Sequence, residues 1–402
     1  MKAGTVCTEP DFTEIHDELR AVTRDVLATV TPGEHIEPRP GGPAPATRCR
    51  RSAKGRADSR KVLSGRDAAQ AIRVAFVDVL DRLRLDVPVA QAGMAGVAGG
   101  RLAAAVASAG GLGTIGLLPA TDLRAAIGRV RDEAPGRSVA VNLLMRFARR
   151  RHVQTCIEAG VDVVVVAFGG DAALVRELRG AGVFVLVMVG TENQARAAVA
   201  WGADGLIAQG REAGGHLVGT VAALDFLPRA LAVAQDRPVF LAGGVATSGD
   251  TGAALAAGAA GVVAGTRFVL TEESGAHREY QRRILAARMT LETTLFGLSW
   301  PMRHRVVPNT VTDRWCRADG AARRLPALIN SLSAPLARLV PEKSEGTALR
   351  MQRPAIPLFS PAAPLEGMPG QWVDRAALYA GESVLRINGV VSAKQAVAEL
   401  AG

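Results

Sequence analysis

Val161-Asp-Val-Val-Val-Val-Ala-Phe-Gly-Gly-Asp171 and the residues that follow it, as far as Ala208, decide the fold. Asp162–Phe168 is apolar almost throughout, too short for a buried helix and bounded by glycines, so it reads as a buried strand. Ala172–Gly180 follows with apolar residues at helical spacing. A second apolar run, Val183–Val189, leads to a second amphipathic segment, Thr191–Trp201, and then to a third apolar run, Asp204–Ala208. Thr191 stands where a helix N-cap belongs, and Gly182 and Gly202 where a helix should stop. Strands apolar on both faces and separated by helices imply a parallel sheet covered by those helices.

The same alternation continues in both directions. Upstream it predicts strands Pro88–Ala92, Gly113–Leu117 and Val139–Leu143, with helices Arg101–Ala109, Thr121–Glu133 and Arg149–Ala159. Downstream it predicts strands Pro238–Ala242 and Gly261–Ala264, with helices Val221–Ala234, Gly249–Ala257 and Ser274–Ala287. Thr121 is a second expected N-cap, and Gly110, Gly160 and Gly258 are further expected stops. Eight strand–helix units in about 200 residues is the count of a closed (β/α)8 barrel. A doubly wound open sheet is the alternative that the count disfavours.

Outside the barrel the pattern weakens. Residues 1–66 hold no sustained period and crowd Arg48, Arg50, Arg51, Lys54, Arg56, Arg60, Lys61 and Arg66 into one stretch of low hydrophobicity. We expect a disordered basic extension there. It carries no aromatics interleaved for base stacking, and the expectation is no nucleic-acid partner. Translation from Val74 or Val77 would remove the extension altogether, which a natural peptide from residues 1–60 would exclude. Residues 67–287 form the expected barrel domain with a leading helix over Asp67–Leu85. Residues 288–402 form an expected α-rich and loop segment packed on the barrel, with Pro-rich loops at Pro354–Pro369 and a helix-like run at Ser392–Leu400.

Composition narrows the class. The chain has 402 residues, 48% hydrophobic, with 44 glycines and a net charge of +10. No apolar run approaches the ~20 residues of a membrane span, and no secretory leader is legible. Cys7, Cys49, Cys156 and Cys316 are scattered without a Cys-x-x-Cys pair, so neither a metal site nor a disulfide scaffold is expected. The expected location is cytoplasmic, and the oligomeric state stays open.

In such a barrel the chemistry belongs to the loops after the strands. Gln209-Gly-Arg-Glu-Ala-Gly-Gly-His216 is the most informative of these. It brings a single imidazole, His216, to the end of a glycine-rich loop, where it can accept a proton near neutral pH. The plainer alternative is a turn with an exposed histidine. Gly243 and Gly244 after the seventh strand, and Gly265 and Thr266 after the eighth, suit a phosphate held by backbone N–H groups. A phosphorylated planar cofactor such as FMN would then lie across the mouth. Its ring would fall near Met94, Asn142, Gln209 and His216, with Asn142 and Gln209 bonded to its polar edge, and Ala92, Gly93 and Gly210 are further expected cofactor contacts. Asn142 as a turn residue and Met94 as ordinary packing are the alternatives.

Val87-Pro-Val-Ala-Gln-Ala-Gly-Met-Ala-Gly96, Ala109-Gly-Gly-Leu-Gly113, Val141-Asn-Leu143, the 209–216 loop, Leu241-Ala-Gly-Gly244 and Gly265-Thr-Arg-Phe268 resemble, in order, the nitronate monooxygenase family. Its members, formerly called 2-nitropropane dioxygenases, are FMN-dependent TIM-barrel enzymes. The resemblance spans Val87 to Ala287 and continues loosely through Thr293-Thr294, Trp300-Pro301, Arg303-His-Arg305 and Asn309. It implies that His216 takes the α-proton of a neutral nitroalkane, that a nitronate needs no base, and that O2 is the co-substrate. Some members carry a lysine near the end of strand five. This chain has Met188-Val189-Gly190-Thr191 there, so a flavin contact from that side would come from the backbone.

Two other functions compete. The flavin-dependent enoyl-acyl-carrier-protein reductases share these motifs. That reading needs NAD(P)H and a basic patch for an acyl carrier, which Arg146, Arg149, Arg150 and Arg151 could supply. A barrel kept as a non-catalytic flavin-binding scaffold ranks lower, because the histidine loop and both phosphate loops are intact. An IMP-dehydrogenase type of barrel needs a nucleophilic cysteine in a strand-end loop, and none falls there after residue 160.

Overall fold

The computed structural model describes residues 79–339 and 345–402. The basic extension, the alternative start sites and residues 67–78 of the leading helix lie outside the described residues. The first described residues, 79–82, are helical.

The strands are β1 (Val89–Gln91), β2 (Thr114–Ile115), β3 (Ala140–Leu144), β4 (Val163–Ala167), β5 (Phe184–Val189), β6 (Gly205–Gln209), then β7 (Gly215–His216), which stands apart, β8 (Val239–Ala242) and β9 (Gly261–Ala264). Without β7 they pair in parallel in the order β1-β9-β8-β6-β5-β4-β3-β2. Leu112 completes the ring: its N–H donates to the Val89 carbonyl (2.9 Å) and its carbonyl accepts from the Gln91 N–H (3.0 Å). This is the expected (β/α)8 TIM barrel.

The two faces of each strand explain why the runs are apolar throughout. Val163 and Val165 of β4, Phe184 and Leu186 of β5, Ile207 of β6 and Phe240 of β8 fill the lumen. Val164 and Val166, Val185 and Val187, Leu206, and Val239 and Leu241 point outward against helices. Val79, Leu83 and Leu85 join the lumen cluster, sealing the end of the barrel where the strands begin. The opposite end is left open for chemistry.

Seven helices follow the strands: α1 (Gly100–Ser108), α2 (Ala120–Glu133), α3 (Arg150–Glu158), α4 (Ala172–Gly180), α5 (Glu192–Trp201), α6 (Ala223–Ala234) and α7 (Ser248–Ala256). Thr191 caps α5 by accepting from the Gln194 N–H, and Gly202 ends it at φ 90°. Thr121 does not cap α2. Pro119 is the N-cap, its φ of −51° entering the helix early, and Thr121 falls in the first turn, bonded to Asp122.

The eighth outer position differs from expectation. After β9 come a short α8 (Thr266–Val269) and then α9 (Arg278–Leu285), shorter than the expected Ser274–Ala287. The helix α9 buries only Tyr280 and Ile284 of its apolar residues, with Leu285 half-buried beside them. Tyr280 and Ile284 pack with Leu270, Val373, Leu378 and Val384, away from the barrel wall. The vacant place in the ring is taken from far along the chain. After α10 (Thr310–Trp315), α11 (Arg324–Ser333) and α12 (Glu345–Met351), the last helix α13 (Ala393–Ala401) lies against α1, α7, α8 and β1. Ala393, Ala396, Val397 and Leu400, all buried, form its i, i+3, i+4, i+7 face in the barrel's outer core. No helix among the described residues is long and apolar enough to cross a membrane.

A second, three-stranded antiparallel sheet roofs the open end. Its members are β10 (Leu291–Thr293), β11 (His304–Val306) and β7, in the order β10-β11-β7, with His304 opposite His216. The sheet turns what reads as a loop into a fixed platform for His216.

Candidate active site

A cavity of about 230 Å³ lies at the C-terminal mouth of the barrel. The expected site residues Ala92, Gly93, Met94, Asn142, Gln209, His216, Gly243, Gly244, Gly265 and Thr266 all line it. Gly210 does not. A Cβ there would meet the Ala223 backbone at 2.3 Å, and its N–H donates to the Ala242 carbonyl, so its lack of a side chain serves the packing of α6 on β6.

His216 is 9% exposed and sits among aromatic rings. Its imidazole lies face to face with Trp300 (centroids 3.6 Å apart, planes 13° from parallel), and Phe168, His304 and Tyr379 stand at 6.1, 5.1 and 5.5 Å. Burial, with His304 adding a smaller push, holds its pKa well below 6.5, so the ring is neutral at pH 7. Its Nε2 meets no hydrogen-bond partner among the described residues. A buried polar atom left so costs stability, and such atoms concentrate where a ligand completes the site.

His304 is held differently. The Phe296 N–H donates to Nε2 at 3.3 Å, so Nδ1 carries the ring proton and donates to the Met302 carbonyl at 2.9 Å. Both nitrogens are used, and burial pushes the pKa down to about 4. The residue is a neutral strut beneath His216.

Gln209 does a different job from the one expected. Its Nε2 donates to the His216 carbonyl at 3.1 Å and its Oε1 accepts from the Val218 N–H at 2.9 Å. The amide that was expected at a ring edge therefore clamps the 209–218 loop and sets the height of His216. Gln91 is used similarly, bridging the Ala92 carbonyl and the Thr114 N–H across the closing strands. Asn142 lies against Gly93, where a Cβ would come 2.2 Å from the Asn142 Cβ. Glycine at 93 is the condition for Asn142 to stand in the cavity wall.

At the other end of the cavity Gly243 (φ 109°) and Gly244 (φ 77°) turn the chain through a region that side chains rarely adopt. The Thr266 hydroxyl accepts from the Gly381 N–H at 2.9 Å, which leaves its own proton to donate. Arg386 binds Asp250 and the Gly244 carbonyl, tying this end to the far C-terminal segment. Ser383 and Gly381 complete the wall.

The residues that sequence reasoning missed come from that distant segment: Trp300, Tyr379, Gly381 and Ser383. One signal pointed to them. The chain has only 2 tyrosines and 4 tryptophans, and both tyrosines and Trp300 line this cavity. Tyr280 donates to the Tyr379 carbonyl at 2.6 Å, and Tyr379 donates to the Pro361 carbonyl at 2.9 Å. The suggested acyl-carrier patch is largely committed elsewhere: Arg146 to the Ser299 and Ala334 carbonyls, Arg150 to Glu177. Arg149 and Arg151 also have partners.

Comparison with known proteins fits this geometry. The family model for nitronate monooxygenase matches residues 118–402. The chain is 39% identical over 249 residues to the (3aS,4S,5R,7aS)-5-hydroxy-7a-methyl-1-oxo-octahydro-1H-indene-4-carboxyl-CoA dehydrogenase of Rhodococcus jostii, covering 61% of this chain and 69% of that one. It is 33% identical over 301 residues to the nitronate monooxygenase of Pseudomonas aeruginosa, covering 61% and 82%. Among solved structures, FabK from Thermotoga maritima superposes with a TM-score of 0.64 at 30% identity, covering 80% of this chain and 94% of that one. The nitroalkane oxidase from Streptomyces ansochromogenes gives 0.62 at 27%, covering 81% and 96%.

Proposed function

The chain belongs to the nitronate monooxygenase family, an enzyme family of flavin-dependent oxidoreductases, and from that premise we propose that it oxidises alkyl nitronates and nitroalkanes with FMN as cofactor and O2 as co-substrate. The observation that carries the reading is His216: neutral, stacked on Trp300, lining the cavity, and with its buried Nε2 lacking a hydrogen-bond partner among the described residues.

The residues present fit a phosphorylated flavin. Gly243, Gly244, Gly265, Thr266 and Ser383 gather at one end of the cavity, where small residues, a donor hydroxyl and backbone amides suit a phosphate. Asn142, Met94 and Gly93 form a further part of the wall, Asn142 lying against Gly93. Bound there, a flavin supplies the electron acceptor that no side chain offers. The protein's own share is to orient a carbon acid and take its α-proton at His216, work typically worth 10²–10⁴-fold. The aromatic and aliphatic walls exclude water, and Gln209 keeps the imidazole at a fixed height.

Among the described residues lining the cavity there is no lysine or arginine, and the one carboxylate is that of Glu212. No side-chain cation there compensates the charge of an anionic substrate, so the neutral nitroalkane is the form the cavity suits best. A second reading, oxidation of an acyl-CoA thioester at its α-carbon, is favoured by the likeness to the Rhodococcus dehydrogenase. It calls on the same base. Anaerobic mixing of the flavin-loaded enzyme with a nitroalkane, its nitronate, an acyl-CoA and NADPH tests the readings. Flavin bleaching by the nitro compounds supports the first. Bleaching by acyl-CoA alone supports the second, and bleaching by NADPH alone would return the reductase.

A further inference from the structure

We propose that Arg146 is a positioning residue for His216, acting through Ser299 and Trp300; the inference rests on the role of His216 as base. Arg146 lies in the turn after β3. Its Nη2 and Nε donate to the Ser299 carbonyl at 2.8 and 3.2 Å, and Nη2 also reaches the Ala334 carbonyl. The Ser299 N–H donates to the Ser333 hydroxyl at 2.8 Å. Ser299 is thus gripped on both sides of its α-carbon, and it needs to be, because its φ is 64°. A serine in that region persists only where its surroundings hold it.

The next residue is Trp300, the plate on which His216 lies. Phe147, adjacent to Arg146, packs edge-on against that indole at 5.3 Å. One turn therefore holds the 299–300 step twice, the backbone through Arg146 and the ring through Phe147. From the other side Phe168 meets the indole at 4.9 Å. Phe168 is itself left-handed, with φ 62°.

Loss of the Arg146 clamp lets Ser299 relax to negative φ and swings Trp300 off the imidazole. Water then reaches His216, and its midpoint returns towards the ordinary histidine value. The titratable groups near that ring are His304 on β11, Tyr379 near the end of the roof, and Glu212 on its own loop; Tyr280 bonds behind Tyr379. None of them touches Arg146 through any bond described above, so replacing Arg146 leaves their bonds in place.

The test uses full-length, flavin-loaded protein with ¹³C-labelled histidine, the His216 resonance being assigned by its loss in His216→Asn. In wild type that resonance should stay flat between about pH 5.5 and 8. In Arg146→Gln it should titrate with a midpoint near 6.5. Turnover of a neutral nitroalkane should fall about 10-fold or more, while flavin reduction by the pre-formed nitronate, which needs no base, changes less than about 3-fold. Trp300→Ala should reproduce the titration, and the double variant should add nothing to it. If Arg146→Gln fails to fold, Arg146→Lys, which keeps the charge but on a single donor nitrogen, should give an intermediate midpoint. A flat resonance in the folded Arg146 variant overturns the proposal. A shifted midpoint in a protein whose flavin no nitro compound reduces keeps the positioning role and removes the nitroalkane reading instead.

Discussion

His216 and His304 face each other across two antiparallel strands, rings 5.1 Å apart, yet only one has both nitrogens occupied. Burial keeps both neutral, so the pair contributes one strut and one imidazole with an unpartnered nitrogen, the proposed base. The contrast sets the expectations for each residue.

For His216→Asn, turnover of neutral nitroalkanes should fall by about 10²–10⁴-fold, while the matching nitronates continue to reduce the flavin. Anaerobic stopped-flow with each form of one substrate reads the difference. Equal loss with both forms would deny His216 the role of base.

His304 makes stability fall with acid. Its folded midpoint of about 4 lies below the unfolded value of about 6.5. Between those values the unfolded chain binds more protons, so stability is complete above pH 6.5 and is lost as pH drops towards 4. The loss from this group is roughly 3 kcal/mol. Urea unfolding at pH 7.5 and 4.5 should show it, and His304→Gln should shrink the difference by about that amount, the share of His216 remaining.

A lining with no lysine or arginine predicts a preference that charge alone can reveal. 1-Nitropropane and butanoate have nearly the same shape and differ in charge. The neutral compound should perturb the flavin spectrum at concentrations about 10-fold or more below the anion, the equivalent of about 1.4 kcal/mol. Tighter binding of butanoate would mean that a cation reaches the cavity.

Gly93→Ala should push Asn142 out of the wall, because the new Cβ would fall 2.2 Å from that of Asn142. Overpacking of this kind costs about 1–3 kcal/mol. The expected result is a lower melting temperature together with purified protein that carries less flavin, read from the ratio of visible to ultraviolet absorbance.

Leu400→Ala tests the last helix. The residue is fully buried, and truncation there should cost about 2–5 kcal/mol in chemical unfolding.

How legible all this is in the sequence varies with distance along the chain. The helix Ala172–Gly180 was readable residue for residue, and β4 and β5 to within a residue at each end. There, apolar runs, caps and glycine stops all act within a few residues. The roof was not readable, because strands as short as Gly215–His216 carry no period. Nor does anything local in Trp300-Pro301 tell that the indole will lie on His216, some 84 residues away. Gln209 is expected in the site from its place in the motif, and it lines the cavity. Its task as a clamp depends on where the His216 carbonyl and Val218 N–H come to rest, which is a property of the fold.

The last helix also fixes an order of events. While the chain is being made, all eight barrel strands can be out before the ring of helices has its final member, since Ala393–Ala401 comes more than a hundred residues after β9. Trp300, Tyr379 and Ser383 are made in that same interval. The barrel's seam and the far wall of the cavity are thus finished late and nearly together. A nascent or truncated chain would hold the sheet without the pocket, and so would be spared a reactive cofactor in a half-built site.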